Sequence, residues 1–292
     1  MISMKVDIIE SDSERFLLDN TTERFDLTFL DPPFNQGKDY PSHNDKMTEE
    51  DYWNWMKKVC GRVLENTSDG GAIYFMQREK NAHFVLESLN HAGWCFQNLI
   101  IWRKKTSAVP SKRRFGKHYQ IIAFATKGKT PRVFNKLRID PPLLVTEKYK
   151  RENGMYVTDV WNDIRELTSG YFAGDEALRV KDGNRLHKQQ SPVQLLTRII
   201  LCSTMVGDMV FDPFAGTGTT LVVAKQLQRH CIGIELDPTY YNVIKDRISK
   251  EMNCDSVLKY RKNYSFTENL DDIWPIKNEL KKEEQFSLSL KG

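Results

Sequence analysis

Between Met209 and Glu235 the chain alternates in a way that few folds accommodate. Met209-Val210-Phe211 is a short apolar strand and Asp212-Pro213-Phe214-Ala215-Gly216-Thr217-Gly218 a tight turn. Thr219-Thr220 opens a helix from Leu221 to Leu227, and Cys231-Ile232-Gly233-Ile234-Glu235 is a second buried strand ending in an acid. Gly216 and Gly218 permit positive φ and a close approach of backbone to a ligand. A glycine turn after a strand and before a helix is where an open α/β sheet holds a nucleotide-type cofactor. The three-glycine dinucleotide spacing is missing, so a pyrophosphate is not the expected ligand. An acid at the end of the following strand is placed to accept hydrogen bonds from ribose hydroxyls.

The remaining pattern extends this unit into a sheet. Phe25 to Leu30, Ala72 to Met76, Asn98 to Trp102 and Tyr119 to Ala125 are apolar strand candidates. Thr48 caps a predicted helix from Glu49 to about Glu65, with Asp51 as its acidic box partner. Tyr52, Trp55, Met56, Val59 and Val63 fall at the spacing of a core stripe and are assigned to the core. Gly70-Gly71 is expected to end that unit, and Gly93 to end a helix from His83 to His91. Ser191 followed by Pro192 suits the N-cap and first turn of a helix from Val193 to Cys202. Strands alternating with helices imply a mostly parallel sheet covered on both faces.

Residues 132–182 break the pattern. Ile139-Asp140-Pro141-Pro142-Leu143, Asn153-Gly154 and Tyr171-Phe172-Ala173-Gly174-Asp175 are loop chemistry. At 292 residues the chain suits one large domain carrying an inserted segment, with a polar tail from Lys281 onward. No run is long enough to span a membrane, and the start has no signal-peptide shape. Cys60, Cys95, Cys202, Cys231 and Cys254 show no paired spacing. Reduced thiols in a cytosolic protein are expected, with neither disulfide nor metal.

Net charge is +4 but unevenly spread: residues 103–151 hold fifteen Lys/Arg against Asp140 and Glu147, so that block is +13 and the rest −9. A focused basic region suits a polyanion. Its densest part includes Lys104, Lys105, Lys112, Arg113, Arg114 and Lys117 between two strand candidates. It reads as a basic loop that grips phosphates, setting affinity more than sequence preference. The plainer reading is a solvated charge run.

Asp31-Pro32-Pro33-Phe34 stands at the end of the strand Phe25 to Leu30. It resembles the amino-group site of enzymes that methylate exocyclic nitrogens of bases, and the stretch Phe211 to Thr220 resembles their S-adenosyl-L-methionine loop. Tetrapeptide first and cofactor loop last matches the beta class of DNA amino-methyltransferases, and the resemblance spans roughly residues 5–250. It implies an α/β fold with a seven-stranded, mostly parallel sheet, one strand antiparallel. Residues 1–131 and 183–260 would form the catalytic domain, 132–182 an inserted target-recognition region, and 261–292 an extension or tail. Val160-Trp161 is similar to an element near the return to the catalytic domain.

The chemistry explains the tetrapeptide. An exocyclic amino nitrogen is a poor nucleophile because its lone pair is delocalised into the ring. Acceptors on both N–H groups pull it toward tetrahedral geometry. Asp31 would supply a carboxylate and Pro32 a main-chain carbonyl, held stiff by Pro33. Phe34 would supply a face for an extruded base. The resemblance places the cofactor on Asp12, Asp31, His187, Asp212, Phe214, Ala215, Gly216, Thr217, Gly218, Thr219, Glu235 and Leu236. His187, Gln190 and Pro192 match an element that packs beside the methionine end, from which Lys188 and Ser191 depart. Asp at position 31 favours adenine N6, with cytosine N4 as the alternative. An RNA amino-methyltransferase with the same tetrapeptide is disfavoured by motif order, and a binding module without catalysis by the presence of every catalytic residue type. Duplex DNA is the implied partner, with room for a cognate restriction endonuclease and a homodimer in a cytoplasm of prokaryotic, phage or mobile-element origin.

Overall fold

The computed structural model of the chain describes residues 4–276 apart from 21, 38, 41–42, 45, 107–108, 141–150, 168–174, 180–182, 184–185, 187–189 and 251. Its centre is a sheet of eight strands: β1 (Val6–Glu10), β2 (Phe25–Leu30), β3 (Thr67–Arg78), β4 (Cys95–Arg103), β5 (Tyr119–Thr126), β6 (Val160–Trp161), β7 (Met209–Asp212) and β8 (His230–Glu235). The spatial order is β1-β8-β7-β2-β3-β5-β4-β6. Every neighbouring pair is parallel except those of β5, which runs antiparallel to β3 and β4. The seven expected strands, with their single antiparallel member, are therefore joined by an eighth. That strand, β6, is two residues long and pairs Val160 with Ile101 and Trp161 with Trp102.

Both faces of the sheet are covered, which is why its strands read as continuous apolar runs. Alternate residues split between two cores. Ile73 and Phe75 of β3 pack with α1 (Ser13–Asp19), α2 (Glu49–Glu65) and α3 (Ala82–Ala92). Ala72, Tyr74 and Met76 pack with α4 (Val193–Ser203), α5 (Thr219–Gln226) and Ile244 of α6 (Pro238–Ser249). Thr48 caps α2 as its sequence predicts, accepting from the Asp51 N–H at 3.1 Å while its hydroxyl donates to the Asp51 carboxylate at 2.7 Å. Gly93 ends α3 in the left-handed region at φ +94°. No helix among the described residues is long and apolar enough to cross a membrane.

Two sequence expectations fail for non-local reasons. Gly70-Gly71 does not close the α2 unit but lies inside β3. Gly70, at φ +72°, lets the segment after β5 come so near that an added Cβ would sit 2.7 Å from the Arg132 nitrogen. Ser191 does not cap α4. The N-cap position falls to Pro192, and the Val193 N–H donates to the distant Glu176 carboxylate at 2.5 Å.

Every residue of α4 is buried, because the chain beyond α6 covers its outer side. The expected extension from residue 261 starts inside this cover, where Tyr264, Ile273 and Trp274 join the core. Arg198 of α4 is 0% exposed and forks onto Asp163, with one contact of 2.9 Å, while the Tyr264 hydroxyl lies 3.2 Å from its Nε. The pair ties the segment after β6 to the helix. Removing one partner of such a pair strands a buried charge, at a cost of about 3–5 kcal/mol. Asp163→Ala is therefore expected to lower Tm by roughly 6 °C or more, at about 2–4 °C per kcal/mol. A thermal melt within about 2 °C of the parent would show that Arg198 finds solvent or another partner.

Candidate active site

The chain changes faces between β2 and β7. The connection from β2 to β3 runs through α2 on one face, and that from β7 to β8 through α5 on the other. Adjacent strands whose connections diverge leave a crevice beyond their carboxyl ends. A cleft lies there. It is lined from the ends of β1 (Asp12, Ser13), β2 (Asp31, Pro32, Pro33), β7 (Asp212 to Thr217) and β8 (Glu235, Leu236, Asp237), with Thr219 and Thr220 of α5.

The glycine turn is built by its neighbours as much as by its own residues. Gly216 and Gly218 sit at φ +55° and +79°, and a Cβ on Gly218 would meet Ile244 at 2.8 Å. Gly218 therefore shapes the turn and is not itself on the cleft wall. Glu235 fastens the loop by accepting from the Gly216 N–H at 2.8 Å, and from the Asp237 N–H at 2.9 Å. From beneath, buried Arg247 forks onto Asp255 at 2.7 and 2.9 Å and donates to the Thr217 carbonyl at 2.5 Å. Asp212 accepts from the Phe214 N–H at 3.0 Å, and Ser13 donates to the Pro213 carbonyl. Burial pushes the Asp212 carboxyl up to about 6, against hydrogen bonds from Thr220 and Phe214. Burial likewise pushes Glu235 up to about 7, against the two backbone donors.

On the opposite wall the Asp-Pro-Pro turn is equally constrained. The Tyr52 hydroxyl, itself accepting from Gln77 at 3.0 Å, donates to the Pro33 carbonyl at 2.8 Å. The Pro32 carbonyl accepts no hydrogen bond from any described residue. The Ser191 hydroxyl donates to Asp31 Oδ2 at 3.2 Å, which is the role this residue has in place of capping α4. Asn35, at φ +49°, then turns the chain and grips the Met47 main chain with two bonds of 2.9 Å.

Of the residues singled out in the sequence, Asp12, Asp31, Pro32, Pro33, Asp212, Phe214, Ala215, Gly216, Thr217, Thr219, Glu235 and Leu236 come together on this cleft. Asp12 has a second duty as N-cap of α1, accepting from the Arg15 N–H at 3.0 Å. His187 lies outside the described residues. Gln190 reaches the cleft but spends its amide on the main chain of Glu176 and Leu178, at 2.7 and 3.0 Å. Phe34 departs from expectation: it is 5% exposed and does not line the cleft. The aromatic walls are instead Phe29, Trp55, Phe214 and Tyr240, with Trp55 edge-on to Phe214 at 5.5 Å. The helical spacing assigns Trp55 to the core, but it flanks the apolar stripe of α2 and turns to the cleft. Tyr240 sits in the first turn of α6, which the Asp237-Pro238 cap starts right after the β8 acid, so its place was legible. Arg247 gave no local signal.

The six basic residues divide. Lys104 is half-buried above the Trp102 ring at 5.5 Å. Burial lowers its pKa, opposed by the charges of Glu166, Asp31 and Glu79. Lys105 donates to the Asn162 carbonyl at 2.5 Å, and Lys117 pairs with Glu79 at 3.4 Å. Lys112, Arg113 and Arg114 are exposed on a turn, with no side-chain partner among the described residues.

The cleft carries five carboxylates (Asp12, Asp31, Asp212, Glu235, Asp237) and no Lys, Arg or His among the described residues. Such a wall repels phosphates and favours a cation among apolar and aromatic groups.

Comparison with known proteins agrees with this geometry. A family model described as DNA methylase (N6_N4_Mtase) matches residues 25–246. The Type II methyltransferase M.HpaI of Haemophilus parainfluenzae is 30% identical over 233 residues, covering 78% of this chain and 69% of its own. The Type II methyltransferase M.BamHI of Bacillus amyloliquefaciens is 31% identical over 243 residues, covering 78% of this chain and 53% of its own, so the matched part is about half of that enzyme. The crystal structure of the M1.HpyAVI–SAM complex shares the fold, with a TM-score of 0.54 and 21% identity over 84% of this chain and 99% of that one. With the tetrapeptide and the glycine loop facing each other across one cleft, the chain belongs to the N6/N4 DNA methylase family.

Proposed function

We propose that the protein transfers a methyl group from S-adenosyl-L-methionine to the N6 amino group of adenine in duplex DNA, the target base being flipped out of the helix. The observation that carries this reading is the cleft itself: an anionic, aromatic-walled crevice with Asp31 and the Pro32 carbonyl, unengaged among the described residues, on one side and the glycine loop on the other. The residues fit the cofactor's chemistry. Sulfonium and ammonium are cations, matched by Asp31 and Asp212 and by the faces of Phe214 and Trp55. Glu235 would accept the ribose hydroxyls, and the Thr217 and Thr219 amides at the start of α5 would suit the carboxylate. When bound, S-adenosyl-L-methionine supplies an electrophilic methyl on sulfur.

The remaining work falls to the chain. Asp31 and the Pro32 carbonyl accept the two amino hydrogens, localise the lone pair and aim it across the cleft. As the nitrogen becomes positive, the Asp31 carboxylate stabilises it electrostatically and takes up the proton it sheds. Ser191 holds the carboxylate orientation, and Tyr52 fixes the turn by occupying the neighbouring carbonyl. This is catalysis by positioning and electrostatics. The Asp at position 31 is what favours adenine over cytosine N4. Residues 132–182 are proposed to read the target sequence, and the Type II names of the relatives suggest a restriction-modification setting.

The test uses S-adenosyl-L-methionine carrying a tritiated methyl with mixed-sequence duplex DNA, followed by digestion to nucleosides. Label is expected in N6-methyladenosine. Label in N4-methylcytosine would move the base assignment, and label only in a parallel RNA sample would move the substrate. Asp31→Ala is expected to keep DNA binding, to bind the cofactor more weakly, and at saturating cofactor to lose at least about 10²–10³-fold in turnover; retained turnover would remove Asp31 from the chemistry. Cofactor binding should also depend on pH through Glu235. Its carboxyl, raised to about 7 by burial, must be anionic to accept from ribose, so affinity is present above that pH and lost below it. Calorimetry between pH 8 and 6.5 should show a fall of about fourfold for a single group titrating there, and Glu235→Gln should flatten the profile. An unchanged slope in that variant would place the titration elsewhere.

A further inference from the structure

The loop between β4 and β5 has a foot that the protein holds and a tip that it does not. At the foot, the Lys104 N–H donates to the His118 carbonyl at 2.8 Å, prolonging the hairpin. The Glu166 carboxylate accepts from the Lys105 and Thr106 N–H groups at 2.8 and 2.9 Å and from the Thr106 hydroxyl at 2.5 Å. Lys117 pairs with Glu79. Beyond this anchorage the tip is closed by a small turn, in which the Ser111 N–H donates to the Arg114 carbonyl at 3.1 Å and the Arg113 N–H to the Ser111 hydroxyl at 3.3 Å. Directly after the turn stands Phe115, 98% exposed, with Val109 on the other limb 90% exposed. No other large apolar side chain among the described residues is so completely in water.

Placement gives this ring a purpose. The loop leaves the sheet at the carboxyl end of β4, the edge on which Asp31 follows β2, and β5 lies only two strands from β2. At about 4.8 Å per strand that is roughly 10 Å. Phe115 is four residues from the start of β5, a reach of at most about 14 Å. The ring can thus reach the mouth of the cleft, and it follows Lys112, Arg113 and Arg114, whose charges suit phosphates. An apolar side chain among phosphate-binding cations is the arrangement that enters a base stack.

We propose that Phe115 is the wedge that enters the duplex at the position the target base vacates, with Lys112, Arg113 and Arg114 holding the flanking phosphates. This rests on the reading of the protein as a duplex DNA methyltransferase that extrudes its base. Insertion offsets the stacking lost when the base leaves and slows its return. The exposed ring is needed only when the target starts out paired.

The test compares Phe115→Ala with the parent on two duplexes, one with the target paired and one with it opposite an abasic site. Methyl transfer is followed on duplexes with adenine at the target, and base extrusion by the fluorescence of matched duplexes carrying 2-aminopurine there, which has no N6 amino group to methylate. On the paired duplex Phe115→Ala is expected to lose about 10–100-fold in kcat/KM and most of the fluorescence rise. On the unpaired target its activity should return to within about threefold of the parent, and Phe115→Trp should keep both signals on either duplex. Equal activity of Phe115→Ala and the parent on the paired duplex overturns the proposal, and so does an equal loss on both duplexes, which would mark a general binding role. A parent protein that methylates neither duplex overturns the underlying reading first, and the wedge with it. Replacing Lys112, Arg113 and Arg114 together by Ser should weaken both duplexes alike and reduce the salt slope by about 0.9 for each phosphate no longer neutralised; an unchanged slope would detach the cations from the phosphates and overturn the assignment of the loop.

Discussion

Everything in the site depends on a cost that the sheet imposes. A parallel strand buried on both faces must receive its crossover helix on one side or the other, and here the choice reverses between β2 and β7. Where the helices part, the strand ends lose their cover, and the amides and carbonyls of the connecting loops face a crevice. That crevice collects residues from four strand ends that are far apart in sequence. The tetrapeptide after β2 and the glycine turn after β7, about 180 positions distant, become opposite walls of it. Their sequence order is immaterial to that geometry, because the parting of the helices, and not the path of the chain, creates the gap.

Within the crevice the electrostatics run against burial. Asp212 and Glu235 are raised to about 6 and about 7 because water is largely removed from them. Backbone N–H donors offset part of that cost, and no basic side chain among the described lining residues does. Uncompensated negative charge in a partly dry, aromatic-walled site is a standing preference for a cationic guest. Arg247 brings a positive charge close to the loop, but its guanidinium is turned to Asp255 and to the outer side of the turn. It supports the backbone without neutralising the cleft.

What was legible in the sequence was whatever is encoded locally. The run Phe25 to Leu30, the Thr48 cap and the left-handed Gly93 can each be read from a few neighbouring residues, and each is where the sequence puts it. The cleft set was legible because strand ends followed by glycine, proline or an acid have few other uses. The departures share a cause. Gly70-Gly71 looks like a terminator because the approach of Arg132 is invisible in sequence. Ser191 looks like a cap because nothing near it announces Glu176. Trp55 departs because helical periodicity gives an angle around an axis but not the shape of the neighbouring wall, and Phe34 because a motif says which residue follows the strand but not which way its ring turns. The basic run reads as uniform, yet Lys104 is part-buried, and Lys105 and Lys117 are engaged by a carbonyl and an acid from elsewhere in the chain.

The capture of the loop foot by Glu166 has a mechanical consequence. The same short segment holds Asn162, whose carbonyl takes Lys105, and Asp163, which is locked to Arg198 in the centre of the molecule. Loop, segment and central helix α4 are therefore members of one truss, and α4 starts at the residue after Pro192, one step from the hydroxyl that steadies Asp31. A displacement of the loop's foot is therefore shared with α4 through Glu166, Asn162 and Asp163. The foot of the loop and the Ser191 hydroxyl that donates to Asp31 thus stand on one connected frame.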